Sequence, residues 1–208
     1  MRPYIDLLLH PGRFANFICR AYEKMRLERE AKRNNVKLVI GRDVHLTDCH
    51  LRVRPGTKNI ALVIGDKCIL KHGIFEFHGS DSTICVGEGT CVNALKAAKT
   101  SFMAGEHANI QIGEDCLFAN GIIACTCDFH SVYNEEGKRI NPDRDITIGE
   151  HVWVGRKSYI CKGTSIAKNS VVGACSVVAK AFEQENCVIA GNPAAVKKVG
   201  ITWDRKNE

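Results

Sequence analysis

The chain has 208 residues, 45% of them hydrophobic, and 29 basic against 23 acidic side chains give it a net charge of +6. That much apolar material supports a continuous core without disulfide or metal staples, and one main domain is expected. The charge excess is modest and scattered, which argues against a nucleic-acid binder and suits an anionic ligand. No stretch has the apolar length of a membrane span, and Met1 to Gly12 lacks the layout of a secretory signal. A cytoplasmic location, with at most peripheral membrane contact, is therefore the expectation.

Phe14 to Asn34 combines long-chain helix formers with mixed charges, among them Glu23, Arg26, Glu28, Glu30 and Arg33. The segment predicts a helix, so residues 1–35 are read as an N-terminal cap. Its apolar face (Phe14, Phe17, Ile18, Met25) is small, which favours a lid on the next element over a basic helix lying on a membrane.

The body, residues 36–190, is governed by a repeat of period six. Aliphatic residues return at Ile148, Val154, Ile160, Ile166, Val172 and Val178, usually followed by a small residue such as Gly149, Gly155, Cys161 or Gly173. Earlier pieces carry the same signal at Ile40 and Leu46, Ile64 and Leu70, Val86 and Val92, and Ile112, Phe118 and Ala124. A period of six matches neither a helix nor plain alternation, but it matches one short strand plus one tight corner. Three such units close a triangular coil of about 18 residues, and stacked coils bury the aliphatic positions in one narrow interior. The fold expected is an all-β parallel β-helix. Two segments, Leu95–Asn109 and Ser131–Thr147, break the period and are expected as excursions; the second is polar and turn-rich and should project as a loop. Residues 191–208 are read as a C-terminal tail.

Several side chains are candidates for chemistry. His45 and His50, with His72 or His78 from a neighbouring coil, would suffice for zinc, although isolated histidines on such faces are more often simply exposed. The eleven cysteines are odd in number, carry no CxxC pair and fall in apolar repeat positions such as Cys68 and Cys116, so reduced packing residues are expected. Cys125 and Cys127 are candidate nucleophiles only if a cationic neighbour activates them. His130 ends a regular coil at the mouth of the projecting loop, a placement suited to a general base. Asp128, two residues earlier, would share its side of an extended strand and orient the imidazole. A solvated surface histidine is the equally weighted reading.

The pieces Asp128-Phe-His-Ser-Val-Tyr, Asp145-Ile-Thr-Ile-Gly-Glu-His-Val-Trp-Val-Gly, Val172-Gly-Ala-Cys-Ser-Val-Val and Ala190-Gly-Asn-Pro-Ala occur in this order. Over Ile112–Trp203 the chain resembles the hexapeptide-repeat O-acetyltransferases of bacterial surface polysaccharides, whose fold is a left-handed parallel β-helix. The resemblance implies acetyl-CoA as acyl donor, no metal, a homotrimer, and a glycan or lipid-linked glycan acceptor. It implies His130 as catalytic base and Trp153 lining the acyl and acceptor pocket. It places Gly155, Arg156 and Ala174 along the pantetheine arm, Lys180 and Lys198 near the nucleotide phosphates, and Asn192 and Pro193 near the adenine. Residues 1–85 share only the generic repeat, and Ala167 replaces a usual repeat glycine. Three alternatives accompany this reading: an acetyltransferase of small sugars or antibiotics, a zinc enzyme like the carbonic anhydrases of this fold, and a trimeric scaffold without activity.

Overall fold

In the computed structural model, which describes the backbone of residues 11–206 and the side chains of residues 21–206, short parallel strands stack into three sheets of six, eight and six strands. Each sheet is one face of a left-handed triangular prism, and the chain visits the faces in rotation. Register makes the columns explicit. Face one aligns Ile40, Ile64, Val86, Ile112, Ile148 and Ile166. Face two aligns Leu46, Leu70, Val92, Phe118, Val154, Val172 and Ile189. Face three aligns Leu51, Phe75, Phe102, Ala124, Ile160 and Val178.

These columns form the core. Phe75 stacks on Phe102 with ring centroids 5.6 Å apart, and Phe118 meets Phe102 edge-on at 5.4 Å. Ala124, in the coil of Phe118, leaves room for the larger ring. Each such side chain removed from water contributes about 1.5–3 kcal/mol before the entropy of ordering it.

Corners hold the coils in register. At the corner between faces one and two, Asp43, Lys67, Asp115, His151 and Asn169 all take positive φ between 51° and 57°, a conformation that Asn and Asp tolerate better than most residues. There the N–H groups of Lys67, Asp115 and His151 donate to Arg42, Glu88 and Glu114 of the preceding coil, each at 2.8 Å. Two residues before these positions runs a glycine column. A Cβ on Gly113 would sit 2.6 Å from the Glu150 nitrogen and from the Gly149 carbonyl carbon, with backbone rather than flexible side chain in the way.

The helix Pro11–Arg33 covers the open end of the first coil. Leu27 and Ala31 are buried, while Met25, expected on the packing face, is exposed. Phe14, Phe17 and Ile18 lie outside the described side chains. Polar contacts complete the docking: Arg26 donates to the Cys49 carbonyl at 2.5 Å, and Glu30 accepts the Leu51 N–H at 2.9 Å. Nearby, Asp48 gathers His50 and His72 at 2.9 Å and Lys99 at 3.1 Å. These partners, His72 foremost, hold its carboxyl far below the ordinary carboxylate range.

Three expectations change. The excursion expected at Leu95–Asn109 shrinks to a tight turn bridged by Leu95 and Ala98, because Thr100–Ala104 is a strand of face three. The projecting loop ends before Thr147, since Ile146–Ile148 already belongs to face one. The expected C-terminal tail begins as a strand: Ala194–Val199 pairs antiparallel with Cys187–Gly191, so the Cys187–Val199 hairpin closes face two. Coil length also varies, because longer corners are absorbed outside the prism while the inward columns stay aligned.

Gly113→Ala is expected to cost about 1–3 kcal/mol through overpacking, read as a lower denaturation midpoint with unchanged slope. The depressed Asp48 pKa gives a second expectation. A carboxyl lowered on folding stabilises above its unfolded pKa of about 4 and loses that contribution as pH falls through its folded value. Asp48→Asn should therefore be less stable than wild type at pH 7, and the gap should narrow progressively below about pH 4 in thermal melts.

Candidate active site

His130 leaves the strand Ile123–Cys125 of face three and stands exposed at the start of the projecting loop. The approach is not extended. Phe129 has φ of 61°, so the two-residue alternation that would place Asp128 beside the imidazole is interrupted. The Asp128 carboxylate instead accepts Lys162 Nζ and, at 2.8 Å, Asn141 Nδ2, and Lys162 is the main cause of its lowered pKa. Asp128 thus meets His130 through the backbone, where its carbonyl accepts the His130 N–H at 2.7 Å.

Asn141 organises the loop mouth. Its Nδ2 also donates to the His130 carbonyl at 2.8 Å, and its Oδ1 accepts the Val132 N–H at 2.7 Å. Lys162, from the next coil, donates to the carbonyls of Asn141 and Pro142 at 3.0 Å each. Sequence reasoning missed both residues. The signal was partly present: Asn-Pro-Asp marks a turn, and the pairing of Cys125 with Cys161 puts Lys162 one coil away from Thr126.

Trp153 lies on face two, paired with Leu117 and Val171, and its side chain is 39% exposed. Its neighbour was not foreseen. Trp203 stacks on His151 at 4.1 Å between centroids, donates its indole N–H to the His151 carbonyl at 2.9 Å, and lies 6.0 Å from Trp153. Arg205 ties the same segment down through Asp115 at 2.7 Å.

Gly155, Arg156 and Ala174 share the corner between faces two and three on successive coils. The Gly155 N–H is committed to the Val172 carbonyl at 2.8 Å, so what this residue offers is the absence of a side chain; a Cβ there would lie 2.6 Å from the Ala174 nitrogen. Among the described residues the N–H groups of Arg156 and Ala174 have no backbone partner. Lys180 stands over the Phe182 ring at 5.3 Å, Asn192–Pro193 is a cis turn between the last two strands, and Lys198 is exposed on the final strand. Lys180 follows face three, at the corner toward face one, and Lys198 lies on face two, so neither shares the small-residue shelf at the corner of Gly155 and Ala174 within one chain.

Within one chain these groups do not converge. His130 is at the corner between faces three and one, Trp153 on face two, and the shelf at the corner between faces two and three. The zinc set is not assembled either: His50 and His72 are both hydrogen-bonded to Asp48, and among the described residues His45, His50, His72 and His78 belong to no cluster of potential metal ligands. Cys125 and Cys127 are buried with sulfurs 3.8 Å apart. Their mutual hydrogen bond pushes the Cys127 thiol upward and the Cys125 thiol downward, and Cys125 is buried away from solvent, which is unsuited to a nucleophile meeting an outside substrate.

Comparison with known proteins agrees with this architecture. Residues 145–180 match the family Bacterial transferase hexapeptide (six repeats). The chain is 36% identical over 174 residues to a polysialic acid O-acetyltransferase of Neisseria meningitidis, covering 83% of this chain and 77% of the relative. It is 33% identical over 128 residues to one from Escherichia coli O1:K1, covering 61% of this chain but 40% of that protein. Among solved structures, the polysialic acid O-acetyltransferase OatWY superposes with a TM-score of 0.77 at 35% identity, over 84% of this chain and 80% of that one. The chain therefore belongs to the hexapeptide-repeat O-acetyltransferases and is an acyltransferase by fold and by sequence.

Proposed function

We propose that the protein moves an acetyl group from acetyl-CoA to a hydroxyl of an acidic surface polysaccharide, with His130 as general base. The observation that carries this reading is His130 itself, exposed at the loop mouth and held through its backbone by Asn141, on a chain 36% identical to a polysialic acid O-acetyltransferase. His130 accepts the proton of the acceptor hydroxyl as the oxygen bonds to the acetyl carbon. The carbon–sulfur bond breaks, and the proton held by His130 passes to the departing thiolate. No covalent acetyl-enzyme is required.

Because His130 and Trp153 occupy different parts of the triangular section, the complete site needs two copies. One supplies His130 and its loop, and its neighbour supplies Trp153 and the shelf of Gly155, Arg156 and Ala174. A cyclic trimer forms three such sites from one repeated contact. Trp203 would then stiffen the wall formed by Trp153. No helix among the described residues is long and apolar enough to cross a membrane, which accords with a glycan acceptor met in solution or at a membrane surface.

Purified protein with acetyl-CoA and polysialic acid should release free thiol and yield O-acetyl signals in the polymer by NMR. Equal or better turnover of monomeric sugars would favour the small-molecule reading, and no release with any glycan would reject the proposal. His130→Ala should lower transfer by about 10²–10⁴-fold while CoA affinity, followed by calorimetry, stays within about twofold. Asn141→Ala should reduce kcat by about tenfold or more through a misplaced imidazole, with little change in donor KM. An unaltered kcat would show that Asn141 does not position His130.

A further inference from the structure

The same corner that releases His130 carries a second recess, of about 280 Å³, which opens beneath the projecting loop. Its floor is a register column. Val53 pairs with Phe77, Phe77 with Ala104, and Met103 with Cys125, so Arg54, His78, Gly105 and Cys127 follow one another on four successive coils. The roof comes from the loop, with Phe129, Ser131, Arg139 and Asp143. Gly105 lets the two parts meet, because a Cβ there would lie 2.7 Å from the Cys127 Cβ and strike the Asp143 carboxylate.

The polar groups of this recess differ in how far they are already engaged. Asp143 accepts Arg139 at 2.9 Å and the Glu106 N–H at 2.8 Å, and Glu106 accepts the Ser80 N–H at 2.8 Å. The acidic groups are thus satisfied within the protein. Among the described residues the Arg54 guanidinium makes no hydrogen bond or ion pair, and His78 Nε2 is buried without a hydrogen-bond partner. Glu76 lies 3.6 Å from His78 Nε2, beyond hydrogen-bond range. What the recess leaves open is the exposed Arg54 guanidinium, next to the half-exposed Phe129 ring, which meets the His78 imidazole edge-on at 4.9 Å. An aromatic wall with a free guanidinium suits a sugar ring carrying a carboxylate, and the space holds one ring rather than a polymer.

We infer that this recess is a subsite for a carboxylated sugar residue of the acceptor, adjacent along the polymer to the residue that His130 acts on. The inference rests on the acidic-glycan reading proposed above and adds to it the groups that select the charge. Phe129 precedes His130 directly, so a ring seated against Phe129 also settles the turn that aims the imidazole.

The test uses full-length protein, sialic acid oligomers, and the same oligomers with their carboxylates converted to amides. Wild type should bind the acidic oligomers more tightly by calorimetry without acetyl donor, and should transfer to them with the higher kcat/KM. Arg54→Gln should reduce that preference by roughly tenfold or more, the loss expected for a charged hydrogen bond, and Arg54→Lys should restore part of it. Because Arg54 is exposed, its replacement is expected to leave the melting temperature unchanged, and that measurement separates a binding effect from misfolding. Equal kcat/KM ratios in wild type and Arg54→Gln, with transfer intact, would overturn the subsite and leave the proposed function standing. Arg54-dependent binding of the acidic oligomers without transfer to any glycan would uphold the subsite and overturn the proposed function. Wild type that neither binds nor acetylates the acidic oligomers would overturn both.

Discussion

Each coil of the prism is hydrogen-bonded to the coils before and after it, and the resulting register decides where every outward side chain stands. Inward columns of aliphatic and aromatic residues supply the apolar drive, but they are interchangeable within limits of volume. The backbone ladder is less forgiving. At the corner between faces one and two, the N–H groups of Lys67, Asp115 and His151 reach carbonyls one coil away, and at Gly65, Gly87, Gly113 and Gly149 the next coil comes too close for a Cβ without adjustment. A shift by one residue there would turn core columns outward along the whole face.

On this rigid lattice the loop after Cys127 is held by few contacts. Asp128, Asn141 and Lys162 form a small polar knot at its mouth, and Arg139 with Asp143 holds its far side. Asp128 is thereby spent on Lys162 and Asn141, not on the imidazole. The arrangement leaves His130 pointing to solvent from a braced backbone, a geometry in which a second surface can complete the site. The C-terminal segment plays a comparable part on another face, where Trp203 lies against His151 and Trp153 and Arg205 anchors to Asp115.

Charge is distributed with a similar economy. Among the described residues most acidic groups of the prism are engaged by neighbouring bases or backbone N–H groups, as Asp48, Asp66, Asp115, Asp143 and Glu106 illustrate. The positive excess therefore resides in side chains such as Arg54, Lys180 and Lys198, which are exposed and free to meet a phosphorylated donor or an anionic acceptor. Binding of such partners would be weakened by salt, since these cations sit at the surface.

The prism was legible in the repeat alone, because a period of six can bury its aliphatic residues in few other ways, and the loop and His130 stood out where the period fails. The capping helix was legible from its composition, though its packing residues, Leu27 and Ala31, were not distinguished from Met25. Which excursion was real depended on long-range pairing, since Thr100–Ala104 rejoins face three against Gly73–Phe77, a contact that spacing does not reveal. The folded backbone likewise decided the partner of Asp128, because one left-handed residue at Phe129 cancels an inference that assumed an extended strand. Asn141, Lys162 and Trp203 reach their targets across a loop, a coil and a folded-back end of the chain, and such contacts are fixed by three-dimensional closure, to which local pattern is blind.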